Sequence, residues 1–177
     1  YTHSFIPNME KLIERSRVDK MPYDSWELEG YLTVTDTPIV DQEAVINWFE
    51  SFCKSKGLFI KTLCFDPANA SKMMMDLSAR GYETVEVYQS YKSLNESTAG
   101  FREQVYCKNV IYEYNPVFNY AMANAIVVQN NGLIRIDKDS TTKRIDPVAA
   151  TLGAFKLAQY HEFAFDINNY IDDDYLD

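Results

Sequence analysis

The sequence is poor in the residues that would make its chemistry obvious. Its three cysteines, Cys53, Cys64 and Cys107, are odd in number and widely separated. No Cys pair has metal-ligand spacing, and buried, reduced thiols of a cytosolic protein are expected. Histidine occurs twice, at His3 and His161, near opposite ends and without a partner at ligand spacing; both read as structural or surface residues. There is no G-x-x-x-x-G-K-[ST] loop, which excludes a P-loop ATPase site within these residues. There is no Gly-x-Ser-x-Gly elbow to support a serine hydrolase. No apolar run approaches the roughly 20 residues of a membrane span. The opening Tyr1-Thr2-His3-Ser4-Phe5 has no basic stretch followed by an apolar one, so no signal peptide is expected. Internal repeats, low-complexity stretches and Gly/Ser linkers are also missing.

What is present suits one compact domain. The 177 residues can enclose a sizeable core, and the apolar and charged fractions are ordinary for a globular protein. The formal net charge is −9. That opposes a simple electrostatic grip on nucleic acid, because neutralising phosphates takes Lys and Arg. Part of the excess lies in 166–177, which includes Asp172-Asp173-Asp174 and reads as a solvated acidic tail. Carboxylates can also gather around a metal, so charge alone leaves the partner open.

Helical and extended patterns alternate. Tyr1 to Ile6 reads as a strand end. Asn8 can cap a helix to about Val18, with Met9, Leu12 and Ile13 on one face. Pro22 to Glu29 suits a short helix stopped by Gly30, and Tyr31 to Thr35 a strand. Asp41 caps a helix carrying Val45, Ile46, Phe49 and Phe52, which Gly57 ends. Leu58 to Phe65 is a mostly apolar run, as expected of a buried central strand. A helix over Ala70 to Arg80 and a strand over Thr84 to Tyr88 follow. Ser93-Leu94-Asn95-Glu96 has the form of a capping box opening a helix to about Tyr106. Val110 to Tyr112 reads as a short strand, and Asn115-Pro116 opens a helix to about Asn124. Ala125 to Gln129 and Leu133 to Ile136 flank Asn130-Asn131-Gly132, a hairpin pattern. Asp146-Pro147 opens a last helix with Val148, Leu152, Phe155 and Leu157 available for the core. The order predicts an α/β domain with a mixed sheet and helices on both faces.

Three groups can carry chemistry. Asp66, in Leu63-Cys64-Phe65-Asp66-Pro67, stands where an apolar strand meets a loop, the usual ligand position in open α/β sheets. It also reads as a helix cap or turn before Pro67, which local sequence alone favours. Asp146 precedes Pro147, a pattern that helix initiation explains by itself, although a carboxylate there can also face a cation. Lys138, Lys143 and Arg144 concentrate positive charge around Thr141 and Thr142, suited equally to phosphate contact or to a solvated loop. The aromatic residues are spread over strand and helix faces and read as core.

The landmarks form a recognisable succession. Pro22-Tyr23-Asp24-Ser25-Trp26, Gly30-Tyr31-Leu32-Thr33-Val34-Thr35 and Phe65-Asp66-Pro67-Ala68-Asn69-Ala70 come first. Gln89-Ser90-Tyr91, Asn115-Pro116-Val117, Asn124-Ala125-Ile126-Val127-Val128 and Lys143-Arg144-Ile145-Asp146-Pro147-Val148-Ala149-Ala150 follow. From about Phe5 to about Ala158 this order resembles the C-terminal nuclease domain of the large terminase subunit of tailed phages. Each motif is weak alone; their order and spacing carry the likeness.

The resemblance implies a ribonuclease H-like α/β fold. It implies a metal-dependent endonuclease that cuts concatemeric double-stranded viral DNA by two-metal hydrolysis, with two Mg²⁺ or Mn²⁺ ions held by acids on separate strands and a late helix. Asp66 matches the acid ending the middle strand. Asp146 matches the acid opening the last helix, where Pro147 replaces the family's glycine. Lys138, Lys143 and Arg144 would then contact DNA. The family's first acid lies on a strand before the segment matched by Tyr1 to Ile6, and this sequence contains no counterpart. The expectation is therefore a nuclease domain over 1–165, N-terminally incomplete and of little activity alone, followed by the tail 166–177. Implied partners are viral DNA, the small terminase subunit, the portal and procapsid, and an N-terminal ATPase domain, with no membrane. The implied location is the host cytoplasm and, transiently, the procapsid portal. Two other readings fit the same landmarks: a non-catalytic nuclease-like module that docks the packaging motor, and a different ribonuclease H-like enzyme such as a resolvase or transposase.

Overall fold

The computed structural model describes residues 1–68 and 70–160. Seven helices and six strands are present among these residues. Strand β1 (Ser4–Ile6) leads through the Asn8 cap into α1 (Met9–Asp19). The short α2 (Tyr23–Leu28) precedes β2 (Leu32–Val34), which returns parallel to β1 with Ser4 opposite Leu32 and Ile6 opposite Val34. Next comes α3 (Gln42–Lys56), capped by the Asp41 carboxylate, which accepts from Glu43 N at 2.9 Å, and closed by Gly57 at φ 63°. Strands β3 (Leu63–Phe65) and β4 (Thr84–Glu86) flank α4 (Ser71–Ala79) and pair in parallel.

Helix α5 (Tyr91–Tyr106) is followed by α6 (Pro116–Asn124). The Asn115 carboxamide oxygen accepts from Val117 N and Phe118 N at 2.9 and 3.2 Å, satisfying two of the orphan donors that open α6. Strands β5 (Ala125–Asn130) and β6 (Leu133–Lys138) form the antiparallel hairpin read from the sequence. Asn131 and Gly132 turn it at φ 47° and 78°, the left-handed pair that a tight hairpin requires. Helix α7 (Asp146–Ala158) packs against α5, α6 and β3.

The α/β class agrees with the sequence, but among the described residues the expected mixed sheet is replaced by smaller sheets, each purely parallel or purely antiparallel. The strands pair as three two-stranded sheets, β1–β2, β3–β4 and β5–β6. Two apolar clusters form the core. One gathers Ile6, Leu12, Tyr23, Trp26, Leu32, Val117 and Tyr120; the other gathers Phe101, Phe118, Ala121, Ile136, Val148 and Leu152. Helix α6 supplies both, Val117 and Tyr120 to the first and Phe118 and Ala121 to the second. No helix among the described residues is long and apolar enough to cross a membrane.

Several local expectations are corrected. The apolar run from Leu58 yields a strand only at Leu63–Phe65, and Phe59 is fully exposed. The reason is that Leu58 to Thr62 has no strand partner, so apolarity alone gives it no ladder. Helix α5 starts one turn before the expected box: Ser90 is the cap, its hydroxyl accepting from Ser93 N at 3.2 Å. Ser93 instead accepts from Lys156 Nζ at 2.8 Å, tying α5 to α7. Val110 to Tyr112 forms no strand. On α1 only Leu12 of the expected apolar face is buried; Met9 and Ile13 are exposed. Of the cysteines, all free, Cys53 is buried while Cys64 is partly exposed and Cys107 exposed. The tail 166–177 and His161 lie outside the described residues.

Candidate functional site

Asp66 and Asp146, far apart in the chain, border the same two cavities. One, of ≈ 400 Å³, is lined by Asp66, Gln89, Arg135, Asp137, Lys138, Thr141, Thr142, Lys143, Arg144 and Asp146, with apolar side chains between them. The other, of ≈ 260 Å³, runs from Cys64, Phe65 and Asp66 to Asp146, Ala149, Ala150 and Gly153. Both carboxylates are exposed to solvent. β3 delivers Asp66 at its carboxyl end, and α7 delivers Asp146 as its first residue. The two elements pack together: a Cβ built on Gly153 would lie 4.0 Å from Cys64 Cβ. The small side chains Ala149, Ala150 and Gly153 let α7 run close to the strand end.

Local mechanics account for Asp66 in part and for Asp146 hardly at all. Asp66 Oδ1 accepts from Ala68 N at 3.2 Å, a turn of the kind Asp commonly closes. Its other oxygen makes no hydrogen bond among the described residues. Asp146 does not cap α7: Ile145 holds the cap position, and no side chain there bonds the first turn. The Asp146 carboxylate has neither an ion pair nor a hydrogen bond among the described residues, so helix initiation does not use it.

The predicted basic residues Lys138, Lys143 and Arg144 all reach the larger of these cavities. Their roles differ locally. Lys143 Nζ lies 5.8 Å over the Tyr120 ring, a cation–π distance. Arg144 Nε donates to Asp19 Oδ2 at 3.1 Å, and Tyr23 Oη donates to the same oxygen at 2.7 Å. Burial and the neighbouring Asp19 carboxylate push the Tyr23 phenol far above its ordinary range. Arg135, also on this cavity, is matched internally by Asp137 at 2.6 Å. Asp137 therefore does not join the two aspartates as a free acid. Arg15, Asp19 and Tyr23 were not among the residues singled out in the sequence. The available signal was Asp19 and Tyr23 at i,i+4 spacing, a weak one. Gln89 was noticed only as part of a landmark, yet it lines both cavities.

Carboxylates are the ligand type that a hydrated hard cation takes. Mg²⁺ takes oxygen ligands, keeps several waters and is commonly held by one or two carboxylates. Among the described residues no group of three or more His, Cys, Asp or Glu side chains could hold a metal ion. The two carboxylates by themselves leave a two-ion set incomplete; completing it requires a further unpaired acid, which the described residues do not bring to the cleft.

Comparison with known proteins adds sequence and fold likeness to this geometry. The family model described as the terminase large subunit, endonuclease domain, matches residues 1–162. The chain is similar to the large terminase subunit of Enterobacteria phage HK97, at 29% identity over 143 residues, which make up 78% of this chain and 28% of that protein. It is also similar to the crystal structure of the HK97 bacteriophage large terminase, with a TM-score of 0.76 and 26% identity, covering 86% of this chain and 32% of the other. The chain therefore spans about a third or less of the length of these relatives.

Proposed function

The chain belongs to the endonuclease-domain family of phage terminase large subunits, and from that premise we propose that it cuts concatemeric double-stranded viral DNA at the cleft between Asp66 and Asp146. The observation that supports this reading is the shared cavity wall: two solvent-facing carboxylates, one unbonded and one half-bonded, from a strand end and a helix start, border the same two cavities. Asp66 would be the ligand shared between Mg²⁺ or Mn²⁺ ions, and Asp146 the outer ligand of one of them. Bound there, the two ions supply the positive charge that activates water and stabilises the departing oxygen of a phosphodiester. Lys138, Lys143 and Arg144 hold the phosphates of the substrate against the acidic cleft. Asp19 and Tyr23 fix the direction of Arg144.

The working unit in this reading is 1–165, and its partners are viral DNA, an ATPase motor domain, the small terminase subunit and the portal of the procapsid. Its place is the host cytoplasm and, during packaging, the portal. A net charge of −9 makes DNA capture by these residues alone weak, so cutting becomes conditional on assembly. The one observation favouring the alternative, a non-catalytic docking module, is that the described residues bring no third unpaired acid to the cleft, Asp137 being matched by Arg135.

The deciding experiment is cleavage of duplex DNA with Mn²⁺ by the intact polypeptide, comparing wild type with Asp66→Ala and Asp146→Ala. Each substitution should lower the rate by about 100-fold or more, as expected when a metal ligand or its charge is lost. Wild-type cleavage by both variants would overturn the nuclease reading. A wild-type polypeptide that fails to cut while still binding its assembly partners would favour the docking module.

A further inference from the structure

Asp146 also borders a third cavity, of ≈ 420 Å³, which Asp66 does not line. Its wall includes Arg15, Tyr23, Tyr120, Arg144 and Asp146, beside His3 and the β1 residues Ser4, Phe5 and Ile6. Two groups of this wall lack partners. Arg15 is partly buried on α1, yet it has neither a hydrogen bond nor an ion pair among the described residues. Tyr120 is 8% exposed, and its hydroxyl is buried without a hydrogen-bond partner among those residues. Arg144, by contrast, is held in place through Nε by Asp19, leaving its terminal nitrogens uncommitted.

These groups are donors without acceptors. A guanidinium removed from water without a partner is costly, and an unsatisfied buried hydroxyl is costly as well. Burial, and next the like charge of Arg144, lower the proton affinity of Arg15; Tyr23, Asp146 and Asp19 counteract this. One oxygen of Asp19 is shared by Tyr23 and Arg144; the other is buried without a hydrogen-bond partner among the described residues, so it serves neither Arg15 nor the Tyr120 hydroxyl. Asp146 faces the cavity but makes no ion pair with Arg15. The missing complement is a compact oxyanion with several acceptor oxygens, and planar guanidinium groups match phosphate in both charge and geometry.

We propose that Arg15, Arg144 and the Tyr120 hydroxyl form a phosphate subsite that grips a DNA backbone phosphate adjoining the one presented to Asp66 and Asp146. Asp19 and Tyr23 are positioning residues of this subsite. The inference rests on the nuclease reading for its ligand. It adds a second point of attachment beside Asp146, in the cavity that Asp66 does not line, which sets the register of the strand relative to the acids.

The test is binding of a fluorescent duplex oligonucleotide to the intact polypeptide, without divalent ions, as KCl is raised from about 50 to about 300 mM. Arg15→Ala should weaken binding by about 3- to 10-fold and reduce the slope of log K against log salt by about one, the signature of a lost phosphate contact. Arg15→Lys should restore most of the slope and only part of the affinity, because a point charge replaces a fork. Should thermal melting show that Arg15→Ala does not fold, Arg15→Gln against Arg15→Lys gives the same comparison. Unchanged affinity and slope in Arg15→Ala or Arg15→Gln overturn the subsite. Weaker binding that inorganic phosphate at millimolar concentration reproduces in wild type, with no dependence on Arg15, also overturns it. Cleavage by the Asp66 and Asp146 variants separates the two readings: a neutral Arg15 substitution beside inactive Asp variants removes the subsite alone. Active Asp variants remove the nuclease reading, whatever Arg15 does.

Discussion

His3 shows how one side chain ties the N-terminal strand to its surroundings. Its ring stacks on Trp48 at 4.1 Å, and Nε2 lies 2.9 Å from Thr33 Oγ1. Burial lowers its pKa from 6.5 to about 4. The unfolded chain takes up that proton near pH 6.5 and the folded chain does not until about pH 4, so the unfolded state binds more protons in between. Stability should therefore fall as pH drops from about 6.5 toward 4 and level off below. Melting temperatures between pH 7.5 and 4.5 should show a smaller decline in His3→Gln than in wild type; parallel curves would contradict this. The site was legible at the same scale only in part. Asp66 and Asp146 could be picked out by position, at a strand end and before a proline. Arg15 could not, because nothing in Glu14-Arg15-Ser16-Arg17 distinguishes the arginine that turns into a cavity from the exposed one beside it.

Elements were legible where a cap or turn residue set them. Asn8, Asp41, Asn115 and Asn131-Gly132 each mark the boundary that the structure adopts, because each satisfies or redirects the backbone within a few residues. Strands were less legible, since a partner decides them. Leu63–Phe65 has Thr84–Glu86 beside it, whereas Leu58 to Thr62 and Val110 to Tyr112 have none. Helix α7 offers a test of how closely it approaches its strand. At Gly153 an added methyl meets nothing nearer than Cys64 Cβ at 4.0 Å, an ordinary contact. Gly153→Ala should therefore gain helix propensity and raise stability by about 0.5–1 kcal/mol in urea unfolding; a loss would mean that β3 and α7 sit closer than this. Gly100 in α5 differs. A methyl there would stand 3.0 Å from Gln159 Oε1 and 3.3 Å from Phe155 Cε1, so crowding opposes the same gain.

Across the whole molecule, charge sets how DNA can be held. Five cations border the cavities around Asp146, and four of them, Arg15, Lys138, Lys143 and Arg144, are open to phosphate. Arg135 is matched by Asp137. Against a net charge of −9, the slope of log K against log salt for duplex DNA should be no steeper than about −4. A steeper slope, measured by anisotropy, would place further phosphate contacts outside the cleft. The α/β order was readable from alternating helical and extended patterns, while the joining of the cleft from β3, α1 and α7 was not, since it depends on contacts between segments far apart in sequence. Helix α6 matters most at this scale. One of its faces is embedded in the body that carries Arg15, and the other in the body that carries Asp146. It works as a dowel between two blocks: the acid and the arginine that line one cavity keep their separation only while that short peg stays seated in both.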